Sequence, residues 1–241
     1  MRIGAIYPDD AWVDVEAAAM VEDFCRFIPA GTDLVSAATP IAAEDATVAS
    51  AVRFAENGDI EESARRLDRY DPDCFAYYCT TMSFIRGPDG DRDISDRITT
   101  VTGKPATTTS TAMIKAFEAL GISKVVLASP YMSDVEVKFR DFIEAHGVTV
   151  LKSRGLGLPD GHSVVPQKQI CDLARSVDIT DAEALFVGCT GQRLALQISD
   201  LEEELGKPVL TANQVTGWHA LRLIGVQVSM KGRGRLFEVA P

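Results

Sequence analysis

The sequence has little that would carry a chain into a membrane or out of the cell. Its opening, MRIGAIYPDD, sets a short apolar run against a proline and two acids and lacks the length and flanks of a secretory signal. No apolar run approaches the roughly 20 residues of a membrane span. Cysteine is sparse: five in 241 residues, an odd number without dense spacing, fits thiols in a reducing compartment and not a disulfide framework. A cytoplasmic location is therefore expected. A cationic surplus is also missing, since 24 Lys and Arg against 35 Asp and Glu leave a net charge of -11. That balance argues against a nucleic-acid partner, which needs a basic face for its phosphates. The three histidines, His146, His162 and His219, are not spaced as a metal set, so no metal is expected. There is no low-complexity tract and no long block of like charge, and 46% hydrophobic residues are those of an ordinary globular chain.

Short apolar or β-branched runs alternate with helical patterns. Strands are expected at Arg2 to Tyr7, Cys74 to Tyr78, Lys124 to Ala128, Val148 to Leu151, Ala184 to Val187 and Pro208 to Thr211, with helices between, for instance Val15 to Phe27 and Asp93 to Thr100. This rhythm predicts an α/β fold with parallel sheets. The runs are continuously apolar, as in sheets covered on both faces. Acidic clusters at Asp59-Glu61-Glu62 and Glu202-Glu203-Glu204 are read as surface helices.

The two halves repeat one pattern. Gly103-Lys104-Pro105 leads into a helix ending Ala119-Leu120-Gly121, and Gly206-Lys207-Pro208 leads into one ending Leu223-Ile224-Gly225. Upstream of each, a strand ends in Cys-Thr, at Cys79-Thr80 and Cys189-Thr190. The strand ends Tyr7-Pro8-Asp9-Asp10 and Ser129-Pro130-Tyr131 also pair. A duplicated α/β unit accounts for this better than chance turn chemistry. The expected division is a first α/β domain of residues 1-109 with the C-terminal segment 222-241, and a second of 110-221. Facing sheets would bring both Cys-Thr turns to one interdomain cleft.

A thiol at a strand end just before a helix lies near unpaired backbone N-H groups and the positive end of the helix dipole, where a thiolate is favoured. A single buried cysteine is more often a small hydrophobe; two at matching positions of a repeat point to chemistry. Such a pair on opposite walls of a cleft could move a proton from one face of a carbon to the other. It could equally add a thiolate to an activated double bond so that the former alkene rotates. Cys25, Cys74 and Cys171 have no such context and are assigned to packing, and Cys74 with Cys79 is not a CxxC pair.

The stretches Cys79-Thr-Thr-Met-Ser-Phe-Ile-Arg-Gly87, Ser110-Thr-Ala-Met-Ile, Ala128-Ser-Pro-Tyr131 and Gly232-Arg-Gly-Arg-Leu-Phe237 closely resemble arylmalonate decarboxylases and maleate cis-trans isomerases, both of the aspartate/glutamate racemase superfamily. The resemblance implies two pseudo-symmetric Rossmann-like domains, a site between them, and no metal or organic cofactor. Carried over, it implies Cys79 and Cys189 as catalytic cysteines, Thr80 and Thr81 as the first carboxylate-binding turn, Thr190 and Gly191 as the second, and Tyr131 as a hydroxyl donor.

The departures narrow the reading. Arylmalonate decarboxylases carry glycine where this chain has Cys79, which favours isomerisation or racemisation of a small carboxylate or dicarboxylate; decarboxylation with Cys189 as proton donor is the alternative. Maleate isomerases typically end the first strand in Pro-Ser-Ser-Asn, whereas this chain has Pro8-Asp9-Asp10-Ala11. Asp9 or Asp10 could pair with a substrate ammonium, as acids there do in amino-acid racemases, or could cap a helix. Racemases tend to have His where Gly191 stands. Arg86 and Arg193 could meet a second carboxylate, though ion pairs are the expected role. Met82, Ile85 and Met132 are candidate pocket residues. A non-catalytic small-anion sensor is a third reading, and a homodimer or larger homo-oligomer is expected by frequency.

Overall fold

The computed structural model describes residues 1–10, 21–41, 47–56 and 59–238, apart from the side chains of Asp9, Asp10, Pro40 and Ile41. Among these residues the strands form two four-stranded parallel sheets. The first holds β1 (Arg2–Asp10), β2 (Asp33–Ile41), β3 (Cys74–Tyr77) and β4 (Ala106–Thr108) in the order β2-β1-β3-β4. The second holds β5 (Lys124–Ser129), β6 (Thr149–Gly155), β7 (Ala184–Val187) and β8 (Val209–Thr211) in the order β6-β5-β7-β8. The orders are the same when each sheet is numbered from its own first strand, which bears out the repeat.

Inner strands are the apolar ones. All four residues of β3 and of β7 are buried, as strands covered on both faces must be. The edge strand β2, which carries Ser36, Thr39 and Pro40, gave no strand signal; an edge position tolerates polar side chains and proline because one side of its ladder is unpaired.

Between strands run α1 (Val48–Glu56), α2 (Asp59–Asp68), α3 (Thr80–Phe84), α4 (Gly90–Thr102), α5 (Thr109–Leu120), α6 (Ser133–Ala145), α7 (Gln167–Val177), α8 (Ile198–Leu205) and α9 (Ala212–Leu223). The repeated Gly-Lys-Pro triplets have one job: Gly103 and Gly206 end α4 and α8 in the left-handed conformation, with φ of 71° and 73°, which glycine adopts without strain. On α7, Ile170, Leu173, Ala174 and Val177 make the buried stripe of an amphipathic helix, each large member contributing about 1.5–3 kcal/mol.

The helices that leave the two sheets cross over. After β4, α5 sends Phe117 against Phe186 of β7, with ring centroids 5.9 Å apart. After β8, α9 returns to the first sheet: the Cys74 thiol donates to the Ala220 carbonyl at 3.4 Å, and Thr107 Oγ1 lies 2.8 Å from His219 Nδ1. Thr216 Oγ1 donates to Thr109 Oγ1 at 3.0 Å, tying the two helices together. One hydrophobic cluster includes Phe75 and Phe186 and so is common to both sheets.

Two burial assignments change, one surface and one packing. Glu202 is buried, because its carboxylate accepts from the backbone N-H groups of Val209 and Arg235. Cys25 is exposed at the end of the helical residues 21–25 and not packed in the core.

Candidate functional site

Each site cysteine stands two residues beyond an inner strand, but the two turns differ. Cys79 has extended backbone, φ −157° and ψ 123°, and is the N-cap of α3. Its carbonyl accepts from the Ser83 hydroxyl at 2.7 Å, and Ser83 Oγ lies 2.7 Å from Ser110 Oγ, so buried hydroxyls brace this turn. Cys189 has φ +78°, a left-handed conformation that costs a non-glycine residue roughly 1–3 kcal/mol. Gln192 N donates to its carbonyl at 3.1 Å, and the next helix begins only at Ile198. The expectation that both thiols precede a helix is thus corrected for Cys189: the chain leaves β7 through a strained turn, not through a helix cap.

Aromatic side chains join the two halves beside these turns. Phe84, on α3, packs on Phe139 of α6 at 4.8 Å and on Tyr131 at 6.0 Å between ring centroids. The ring of Tyr131 also contacts Phe139 and His162, at 5.9 and 5.6 Å. A Cβ on Gly188 would come within 3.0 Å of Phe139 Cε1 and 3.4 Å of Tyr131 Cε2, so the residue before Cys189 must be small for these rings to close on the strand end.

The Tyr131 hydroxyl sits where the turns meet. Burial raises its pKa well above the ordinary phenol value; the charge of Cys189 and, more weakly, of Cys79 raise it further, while the hydroxyls of Thr81 and Thr80 partly offset the rise. Those hydroxyls are near it, yet none is placed in hydrogen-bonding geometry, and among the described residues both Tyr131 OH and Thr80 Oγ1 are buried without a partner. Tyr131 is 2% and Thr80 1% exposed, so solvent does not supply one. Cys79, Cys189, Thr80, Thr81 and Tyr131 are therefore brought together. Thr190 is buried, and Gly191 lies against Ser163, whose Cα would be 3.0 Å from an added Cβ.

Asp9 and Asp10 continue β1, paired by backbone register with Pro40 and Ile41; their side chains lie outside the described residues. Arg86 is committed to Asp93 at 2.6 Å and approaches Glu56 at 3.8 Å. Arg193 lines a cavity of about 100 Å³ with Glu22, Asp23, Arg26 and Gln197, a set that includes none of the site residues. Met82 and Ile85 are buried, Met82 accepting from the Tyr77 hydroxyl at 3.0 Å, and Met132 is half-buried. Cys74 is a packing thiol, pushed up to about 12, first by burial and then by Asp73. Among the described residues no cluster of three or more His, Cys, Asp and Glu could hold a metal, and no helix is long and apolar enough to cross a membrane.

Three residues escaped the sequence reading. Tyr78, from the first half, has its pKa raised by burial and then by Asp23 and Cys189, so it lies near the second cysteine. His162 and Ser163 form a short turn of 3-10 helix, His162–Val164, that closes over Tyr131 and Gly191; Gln192 Nε2 donates to the His162 carbonyl at 2.6 Å. The run of apolar residues around Tyr78, and the lone His162, gave no signal distinguishing them from core and loop.

A model of the arylmalonate decarboxylase family matches residues 5–237. Arylmalonate decarboxylase of Bordetella bronchiseptica is 30% identical over 242 residues, spanning 98% of this chain and 96% of the relative. A maleate isomerase of Nocardia farcinica is 29% identical over 175 residues, 69% of this chain and 70% of its own length. Among solved structures, a double mutant of arylmalonate decarboxylase in the liganded form superposes with a TM-score of 0.86 at 25% identity, covering 99% of both chains. The Nocardia farcinica maleate cis-trans isomerase, in a mutant with a covalently bound succinylcysteine intermediate, gives a TM-score of 0.87 at 22% identity over 100% of this chain and 99% of that one. The matching relatives are enzymes, a decarboxylase and isomerases, and the two-sheet α/β architecture is theirs.

Proposed function

The chain belongs to the arylmalonate decarboxylase family, and from that membership we propose that it is a two-cysteine isomerase or racemase of a small carboxylate, working without metal or organic cofactor. The observation that carries this reading is the position of the Tyr131 hydroxyl: it is buried, has no partner among the described residues, and is close enough to both Cys79 and Cys189 for each to raise its pKa. A decarboxylase needs one proton donor after loss of CO2; two thiols around one hydroxyl suit chemistry on two faces of a carbon.

Cys79 takes the part of base or nucleophile. As the N-cap of α3 it lies at the amino end of that helix, where the aligned N-H groups favour negative charge. In the proton-transfer form, its thiolate takes a proton from the α-carbon, the electron pair passes into the substrate carboxylate as an enediolate, and the Cys189 thiol returns a proton to the opposite face. In the cis-trans form, the Cys79 sulfur bonds to one alkene carbon while Cys189 supplies a proton to the other. Cys79 reacts as its thiolate and Cys189 is left as one; rotation about the resulting single bond and reversal of both steps then give the isomer with the Cys79 thiolate and the Cys189 thiol restored. The hydroxyls of Thr80, Thr81 and Tyr131 donate to the carboxylate on which charge accumulates. Neither form needs a co-reactant.

Decarboxylation is the second reading, favoured by the 30% identity to arylmalonate decarboxylase over nearly the whole chain. The test is proton NMR of the purified protein in D2O with maleate, aspartate, glutamate, hydantoins and aryl- or alkylmalonates. Fumarate, or deuterium at an α-carbon without loss of a carboxyl group, supports isomerisation; loss of CO2 moves the protein to the decarboxylases.

A further inference from the structure

A buried acid outside the cysteine site is wired to Tyr131. Glu136, in the first turn of α6, is buried, and among the described residues no basic side chain pairs with it. Its two carboxyl oxygens are instead each met at very short range by a hydroxyl, Ser129 on one side and Ser153 on the other. Ser129 ends β5 and Ser153 lies in β6, so one carboxyl joins two neighbouring strands. The Ser129 oxygen has a second role, accepting from the backbone N-H of Tyr131 at 3.1 Å. Because that lone pair is taken by an N-H, the Ser129 hydrogen is directed to the carboxyl, giving a chain that runs from Tyr131 N-H to Ser129 to Glu136.

The rest of the turn is already pinned on its other side. Leu156 N donates to the Ser129 carbonyl, Leu158 N to Pro130 and Gly157 N to Tyr131, each at 3.0 Å. Gly155 leaves room for this approach, since an added Cβ would overlap the Tyr131 carbonyl and come within 3.1 Å of Glu136 Cγ. The backbone of Tyr131 is thus clamped between residues 155–158 and the Glu136 relay.

We propose that Glu136 is a positioning residue for Tyr131, acting through Ser129 to hold the phenol at the meeting point of the two cysteine turns. This inference rests on the assignment of Tyr131 as a hydroxyl donor to substrate. A carboxyl buried without a cation is costly to keep, and burial raises its pKa in spite of the two serines. Its two oxygens are both taken by hydroxyls of the strands that lead to the Tyr131 turn, which points to a task beyond packing.

The test compares Glu136→Gln, Glu136→Ala and Ser129→Ala, each also in a Tyr131→Phe background. Two readouts are used: the 13C resonance of the Tyr131 ring in protein labelled at tyrosine Cζ, identified by its loss in Tyr131→Phe, and turnover of the substrate found in the D2O panel. Glutamine keeps one acceptor for Ser129 and gives Ser153 a donor, so Glu136→Gln should keep the resonance in place and most of the activity. Glu136→Ala and Ser129→Ala should shift the resonance and lower kcat by about 10- to 100-fold with a smaller change in KM, the scale of a misplacement of about 1 Å. In the Tyr131→Phe background the same changes should cost little more, as expected of residues acting through one another. A folded Glu136→Ala or Ser129→Ala protein with an unmoved Tyr131 resonance, or full losses that multiply in the Tyr131→Phe background, would overturn the proposal. If Tyr131→Phe alone leaves turnover unchanged, the substrate role of Tyr131 fails, while the resonance still reports on whether Glu136 positions the ring.

Discussion

The hydroxyls of Thr80 and Tyr131 come from opposite halves of the molecule, both are buried, and neither has a hydrogen-bond partner among the described residues. A buried unsatisfied polar group costs about 1–3 kcal/mol. On the proposed function these two donors, beside the cysteine turns, would be satisfied by a substrate carboxylate.

Removing one of these hydroxyls should therefore separate activity from stability. Tyr131→Phe is expected to lower kcat/KM by about 10²- to 10³-fold, the scale of losing one oxyanion donor. Thermal denaturation should show a melting temperature no lower than wild type, and higher if the orphaned hydroxyl is a net cost. A drop of several degrees with activity intact would mean that Tyr131 serves the core and not the substrate.

The left-handed backbone of Cys189 makes a second separation. Cys189→Gly removes the thiol and also the conformational strain, so it is expected to abolish turnover and to stabilise the fold relative to Cys189→Ala, in which the strain persists, by about 1 kcal/mol. Chemical denaturation of the two variants measures the difference; equal midpoints would show that the position carries no strain.

Phe84 is the ring by which the Cys79 helix docks on the second half, and it is fully buried. Phe84→Ala should cost about 3–5 kcal/mol, while Phe84→Leu, which keeps most of the volume, should lose far less stability but still reduce turnover by loosening α3 against α6. Urea unfolding and kcat for the pair give both numbers. Activity unchanged in Phe84→Leu would show that the docking does not set the geometry of Cys79.

His219 gives a pH dependence with a definite sign. Burial first, then the charges of Lys115 and Arg222, depress its pKa from 6.5 to about 4. The unfolded chain therefore binds its proton more readily, and the contribution of the neutral ring to stability is complete above pH 6.5. It declines as pH falls from 6.5 towards 4 and then levels off. The difference in unfolding free energy between wild type and His219→Gln should follow this course. A difference that does not change with pH would show that the ring is not held neutral.

Much of the architecture was legible because it rests on local pattern. The buried runs Cys74–Tyr77 and Ala184–Val187 are strands in both readings, and the repeated Gly-Lys-Pro triplets reported the duplication because each glycine ends a helix in the same left-handed conformation. What stayed hidden depends on partners distant in sequence. The edge strand β2 is fixed by its pairing with β1, not by apolar side chains. Glu202 looked like a surface acid because the N-H groups it caps, Val209 and Arg235, come from separate segments. The cysteines and threonines proposed for the site could be named from their places in the repeat. The closing turn at His162–Val164, the reach of Tyr78 towards Cys189 and the strained backbone of Cys189 itself follow from how the halves face each other.

The most direct test of the two-cysteine account is turnover of Cys79→Ala and Cys189→Ala, followed by proton NMR in D2O on the substrate that wild type converts. The account predicts that each variant, folded as judged by circular dichroism, loses about 10²-fold or more of the isomerisation or α-deuteration rate, because the thiols have separate tasks: opposite faces of one carbon in proton transfer, and the two alkene carbons in cis-trans isomerisation. Full activity in Cys79→Ala, with release of CO2 that depends on Cys189 alone, would contradict it and identify a decarboxylase.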